Sequence, residues 1–195
     1  TEDRVQELRT LIERYEEEVA DAIAALTGKA DALKLLAQEY MRQQLYGPAL
    51  DALEEATRIQ PRNHVLHYLA GVAAGFLGKS QARPDLQADY FSRAERSYEL
   101  AVEIEPDYID ARYGLAVLYV FEIGEPVKAL PHLRHVLEIS SGHVPSLFVL
   151  ARAHVALGNI DDAITAYERI IEVAPDRESR QRAERNRELL LGGSS

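Results

Sequence analysis

The stretch 73-AAGFLGKS-80 ends in Gly-Lys-Ser, the close of a phosphate-binding loop in which alanine stands for the opening glycine. In such a loop Lys79 and Ser80 would hold a nucleoside triphosphate. That chemistry needs a strand before the loop and a helix directly after it, so that backbone N–H groups and the helix N-terminus point at the phosphates. Neither flank fits: 63-NHVLHYLAGVAAGF-76 has helical spacing, and Pro84 interrupts any helix opening at Lys79. The run is expected to be the end of one helix and its turn at Gly78-Lys79. Two histidine pairs, His64 with His67 and His132 with His135, are three apart and could share a helix face as metal ligands, but neither has a third ligand in pattern. The acid runs Glu16-Glu17-Glu18, Glu54-Glu55 and Asp161-Asp162 fall on amphipathic stretches and read as solvated faces. No nucleophile elbow, zinc-protease or calcium-loop pattern is present. The chain is expected to be no enzyme and to use no cofactor or metal.

The residues available to position any site form an ordinary globular composition. Of 195 residues, 47% are hydrophobic and 28% charged, and 22 Lys and Arg against 32 Asp and Glu leave a net charge of -10. Such a surface repels phosphate backbones, so no nucleic acid is expected as partner. The absence of cysteine excludes disulfides and thiolate chemistry. The longest apolar run, 69-LAGVAAGFLG-78, is half of the roughly 20 residues a membrane span needs, so no direct membrane insertion is expected. The chain opens on acidic TEDRVQEL without an initiator methionine, which suggests upstream processing or trimming, and the closing GGSS resembles a linker end. No compartment is assigned: the cytoplasm is slightly favoured, with an exported or membrane-anchored parent chain left open.

Internal repetition decides the architecture. The stretches 49-ALDALEEATRIQP-61, 94-AERSYELAVEIEP-106 and 163-AITAYERIIEVAP-175 share one tail, and 129-ALPHLRHVLEIS-140 follows it without the proline. Their leading alanines, Ala49, Ala94, Ala129 and Ala163, step by 45, 35 and 34 residues. A second series of small residues, Ala37, Gly71, Ala116 and Ala151, steps by 34, 45 and 35. The two series agree on an insertion between Gly71 and Ala94 and one extra residue between Ala116 and Ala129. Apolar residues recur at three and four spacing on both sides of turns near residues 44–47, 78–79, 123–124 and 158–159, so each unit reads as two amphipathic helices. Pairs this short cannot bury their own apolar faces and must stack.

These residues resemble the tetratricopeptide repeat family, whose unit is a 34-residue helix–turn–helix. The best copy, 147-LFVLARAHVALGNIDDAITAYERIIEVAP-175, has Leu150, Ala151, Gly158, Ala163, Tyr167 and Pro175 at family places. Departures are Ala74 and His154 where Tyr40 and Tyr119 stand, Gln44 for the turn glycine and Ser141 for the proline. The resemblance covers roughly residues 30–175. It implies an all-α, right-handed superhelical solenoid of four repeats: 30–63, 64–108 with an insertion near 79–89, 109–143 and 144–175. An N-terminal helix over 1–29 and a capping helix over 176–191 flank them, before a tail at 192–195. Val5, Leu8, Ile12, Tyr15, Val19, Ala22 and Leu26 form a heptad-like seam on the N-terminal helix. That seam is expected to pack on the first repeat as a half-repeat or, alternatively, to serve self-association.

In the family the first helix of each repeat lines a concave groove that takes up a peptide or helix. Carried over by position, the resemblance implies a groove of Lys34, Gln38, Met41 and Arg42, then Tyr68, Val72 and Phe76, then Tyr113, Val117 and Phe121, and finally Phe148, Arg152 and Val155. Only Lys34 fits the family's carboxylate clamp; Val65, Leu69, Asp110 and Gly114 occupy the other places. What remains suits an apolar segment or amphipathic helix. The expected function is therefore a non-catalytic scaffold with a protein or peptide partner. The alternative is a structural homo-oligomerisation module that uses the N-terminal helix and the groove; the aromatics could also simply be covered by the N-terminal helix, the insertion or another copy. Tyr90 and Phe91 on the inserted helix are a further candidate contact surface.

Overall fold

The computed structural model describes residues 2–192, and among these there is no strand. Residues 193–195 of the linker-like tail lie outside the described residues. The helices are α1 (Glu2–Arg42), α2 (Tyr46–Ile59), α3 (His64–Ser80), α4 (Pro84–Ile104), α5 (Ile109–Val117), α6 (Pro126–Ile139), α7 (Val144–Ala156), α8 (Ile160–Val173) and α9 (Arg177–Gly192). Each packs on its sequence neighbours, so that the C-terminal part of α1 with α2, α3 with α4, α5 with α6 and α7 with α8 form four stacked helix pairs capped by α9. This is an all-α solenoid.

Both small-residue series lie where helices meet. Ala49, Ala94, Ala129 and Ala163 are fully buried, as are Ala37, Ala116 and Ala151. At Gly71 even a Cβ would come within 2.7 Å of the Tyr98 ring. Three of the turns place one residue in the left-handed region, at Gly124 (φ 78°), Gly158 (φ 76°) and Gln44 (φ 61°). At Gln44 the tight turn accepts a strain of roughly 1 kcal/mol that glycine avoids.

The irregular spacings have structural explanations. Helix α3 has 17 residues where α7 has 13, and α4 has 21 where α8 has 14, so the eleven inserted residues lengthen the second hairpin by one turn and two turns. Pro84 opens α4, where its missing N–H costs nothing. The extra residue of the third unit is taken up by a π-helical stretch, Leu118–Ile123, that continues α5 and ends with the Gly124 N–H bonded to the Tyr119 carbonyl.

Two expectations need correction. Gly78 is not a turn: it is buried inside α3, where its missing side chain admits Phe91 of α4, whose Cε1 would lie 2.5 Å from a Cβ. Phe91 is thus internal packing rather than contact surface, and Tyr90 is half-buried beneath Arg93, 5.4 Å from its ring. The N-terminal seam does not fold back on the first repeat either. Helix α1 continues through residue 29 without a break, and residues 2–29 are all exposed. Thr27-Gly28-Lys29-Ala30 contains no proline, and one interior glycine costs only about 1 kcal/mol, so nothing stops the helix. The side chain of Thr27 even bonds back to the Ile23 carbonyl at 2.9 Å. Lys29 meets Glu55 of α2 at 2.6 Å, the last tie before the helix leaves the body.

Candidate functional site

The first helices of the second, third and fourth pairs, with α9, enclose two adjoining cavities. The first, about 240 Å³, lies between α3 and α5 and is lined by Tyr68, Val72, Phe76, Tyr113 and Val117 together with Tyr98, Asp110 and Glu122. The second, about 400 Å³, lies between α7 and α9 and is lined by Tyr113, Phe121, Phe148 and Arg152 with Tyr167, Ser179, Arg182 and Asn186. Tyr113 belongs to both. Eight of the residues expected in the groove therefore line these cavities, and Lys34, Gln38, Met41, Arg42 and Val155 line neither. In the first repeat Lys34 pairs with Asp31 at 3.4 Å, Arg42 pairs with Glu39, and Met41 packs on the core.

The floor of the first cavity rests on Tyr98, which is buried against α3 and α5 because Gly71 and Gly114 carry no Cβ to repel it. Its ring is 6.1 Å from that of Tyr68, which in turn meets Tyr108 edge-on at 5.4 Å. Burial pushes the phenols of Tyr68, Tyr98 and Tyr113 up, and the Asp110 charge adds to the rise at Tyr68. These rings stay neutral and present apolar faces with hydroxyl edges. Phe76, 45% exposed, stacks on Tyr46 at 4.5 Å with the rings 6° from parallel. Lys79 closes the rim: its Nζ is 2.7 Å from the Glu122 carboxylate of the π-helical stretch. Within the phosphate-loop match, then, Lys79 is the cation of an interhelical ion pair, and the Ser80 hydroxyl donates to the Leu77 carbonyl at 2.8 Å. A helix, not a strand, precedes them.

Charge separates the two cavities. The first is bordered by Asp110 and Glu122, with only Lys79 to offset them. The second has Arg152 and Arg182 and no carboxylate in its lining. The Arg182 guanidinium lies 3.7 Å above the Phe148 ring, and both arginines lower the Tyr167 phenol against the larger upward push of burial. Neither arginine forms an ion pair among the described residues. The histidines gather no metal set: among the described residues no three potential ligands come together. His135 contacts Asp107 at 2.7 Å, and half-buried His132 stacks on Tyr119.

Sequence spacing put Tyr68, Tyr113, Phe121 and Phe148 on one expected face, and these residues line the cavities; Tyr46 beside Phe76, Glu122 and Arg182 were not among the expected residues. Tyr46 opens a second helix, Glu122 sits in the π-helical stretch and Arg182 on α9, none of which has a repeat-register signal. Tyr98 was legible only as a packing residue of the repeat tail.

A family model for the tetratricopeptide repeat matches residues 121–185. A tetratricopeptide repeat-containing protein of Borreliella burgdorferi is 22% identical over 181 residues, which cover 93% of this chain and 79% of the relative. The crystal structure of a thermophilic tetratricopeptide repeat protein from Thermus thermophilus superposes with a TM-score of 0.68 at 21% identity, covering 90% of this chain and 94% of the other. Residues 121–185 thus match the tetratricopeptide repeat, and the fold of the chain is that of a tetratricopeptide repeat solenoid. Another similar structure is that of YrrB, described as a tetratricopeptide repeat protein with an unusual peptide-binding site, with a TM-score of 0.65 at 20% identity over 88% of this chain and 86% of that one. No described helix is long and apolar enough to cross a membrane.

Proposed function

We propose that this protein is a non-catalytic interaction scaffold whose groove takes an apolar or amphipathic segment of a partner protein. The observation that carries the reading is the pair of adjoining aromatic cavities sharing Tyr113. Their rings offer large, rigid contact area at little cost in side-chain entropy. Phe76 and Phe121 are 45% and 50% exposed, a state that a docked segment would relieve. Arg152 and Arg182 favour an acidic residue in that segment beside its apolar anchor. The likeness to YrrB adds a peptide-binding relative of the same fold.

A random dodecapeptide display library selected on the wild-type protein tests the reading, with affinities measured by fluorescence anisotropy on the enriched peptides. The double variant Tyr113→Ala/Phe148→Ala should bind them at least about tenfold more weakly while its helical circular dichroism persists. Loss of the fold in that variant would make the rings core rather than groove, and unchanged affinity would move the partner to another surface.

A further inference from the structure

Residues 2–29 of α1 expose Val5, Leu8, Leu11, Ile12, Tyr15, Val19, Ile23 and Leu26 to solvent, each 37–59% accessible. These side chains form a stripe along one face with no other described helix of this chain against it, and in proteins most helical stability comes from packing such an apolar face rather than from propensity. We infer that the stripe is covered by the same helix of a second copy, in an antiparallel two-stranded coiled coil.

The charges flanking the stripe select both the orientation and the register. In heptad terms Val5, Ile12, Val19 and Leu26 occupy a, and Leu8, Tyr15 and Ala22 occupy d. A parallel, in-register pair would set Arg4 of each chain, at g, beside Arg9 of the other, at e, and would gain no opposite-charge contact. In an antiparallel pair e faces e and g faces g. The register that layers Val5 on Ala22, Leu8 on Val19 and Ile12 on Tyr15 then brings Arg9 to Glu16 of the second copy, twice by symmetry. A shift of one heptad in one direction replaces this contact with Glu16 against Glu16, and in the other with Arg9 against Arg9. Within one chain Arg4 is already paired with Glu7 at 2.7 Å and Arg14 with Glu18 at 3.6 Å. Arg9 and Glu16 have no ion pair among the described residues and remain available across the seam.

The arrangement also separates the solenoid bodies. Each body begins at residue 30, and in this register the two copies of that residue are 33 helical positions apart, about 50 Å at 1.5 Å per residue. Each chain carries a net charge of -10, so a parallel pair would hold two acidic bodies side by side, whereas 50 Å is several Debye lengths at physiological salt. The groove lies on the bodies, so this inference does not rest on peptide binding there.

Sedimentation equilibrium of the full chain should give twice the 21.8 kDa chain mass at micromolar concentration. Glu16→Arg should raise the dimer dissociation constant at least about fivefold, and adding Arg9→Glu should restore it. Because the chain has no cysteine, the partners can be mapped by oxidation. Leu8→Cys mixed with Val19→Cys should form the mixed disulfide, and neither variant alone should cross-link. A monomer at all concentrations, a Leu8→Cys homodisulfide, or a dimer in which the mixed pair does not cross-link would each overturn the inference. Circular dichroism of each variant shows that the helix is retained.

Discussion

Alanine at Gly71 and alanine at Gly75 should shift the stability of this protein in opposite directions, although the two positions are one turn apart on α3. In a helix interior either replacement gains roughly 1 kcal/mol of intrinsic propensity. At Gly75 a Cβ would meet no atom within 4 Å, so that gain is kept. At Gly71 the Cβ would lie 2.7 Å from Cδ1 and Cε1 of Tyr98 and 2.9 Å from Cγ, well inside contact distance. The ring is rigid, only 7% exposed, and equally close to Gly114 of α5, where a Cβ would be 2.8 Å from Cε1 and Cζ. Overpacking of this kind costs about 1–3 kcal/mol, and a clash of about 2 kcal/mol, the middle of that range, outweighs the propensity gain. Because the intrinsic term is common to both variants, their difference isolates the clash and should come to about 2 kcal/mol. For a chain of this length that is roughly 4–8 °C between the two melting temperatures. Thermal denaturation followed by circular dichroism at 222 nm measures it, and a Tyr98→Leu background should remove most of the difference. Equal shifts for the two variants would refute the placement of Tyr98 across α3 and α5, and with it the floor of the first cavity.

Ala163, fully buried where α7 meets α8, should not accept a charged side chain: Ala163→Glu is expected to cost about 3 kcal/mol or more and to lower the melting temperature by roughly 6–12 °C. An unchanged melting curve would mean that the two small-residue series do not mark the helix contacts. Stability should also fall at alkaline pH. Burial first, then neighbouring charge, raises Tyr108 to about 12 and raises Tyr98 and Tyr119 as well, Tyr119 also donating to Glu95 at 2.9 Å. With folded-state values raised, the unfolded chain releases these protons first, so their contribution is complete below about pH 10 and is lost as pH rises through the folded values. Tyrosinate absorbance at 295 nm should therefore lag behind that of the urea-unfolded chain, and coincident titration curves would show the phenols to be solvated.

The sequence by itself determined the class of fold and the places where the helical spacing is irregular. That information is local and periodic: a small residue where helices touch, a proline where one ends, and a step of 34, 35 or 45 between copies. The extra residue after Ala116 was countable before its π-helical turn was visible, because one surplus residue in a repeat register has to be absorbed somewhere. The aromatic ladder was legible for the same reason, since Tyr68, Tyr113 and Phe148 recur at the repeat spacing. Tertiary structure alone decided what those residues meet. Lys79 reaches Glu122 and Arg182 covers Phe148 across 43 and 34 positions of chain, and such pairings depend on how helices stack rather than on any period within one of them. Only the structure, likewise, showed that Gly78 admits Phe91 instead of making a turn, because a glycine inside a helix and one ending it look alike in sequence. The course of α1 is the sharpest case. Its seam was plain from heptad spacing, but whether the helix bends back or runs on depended on a stop signal near residue 29 that the chain does not contain, so the apolar face is left to solvent or to another molecule.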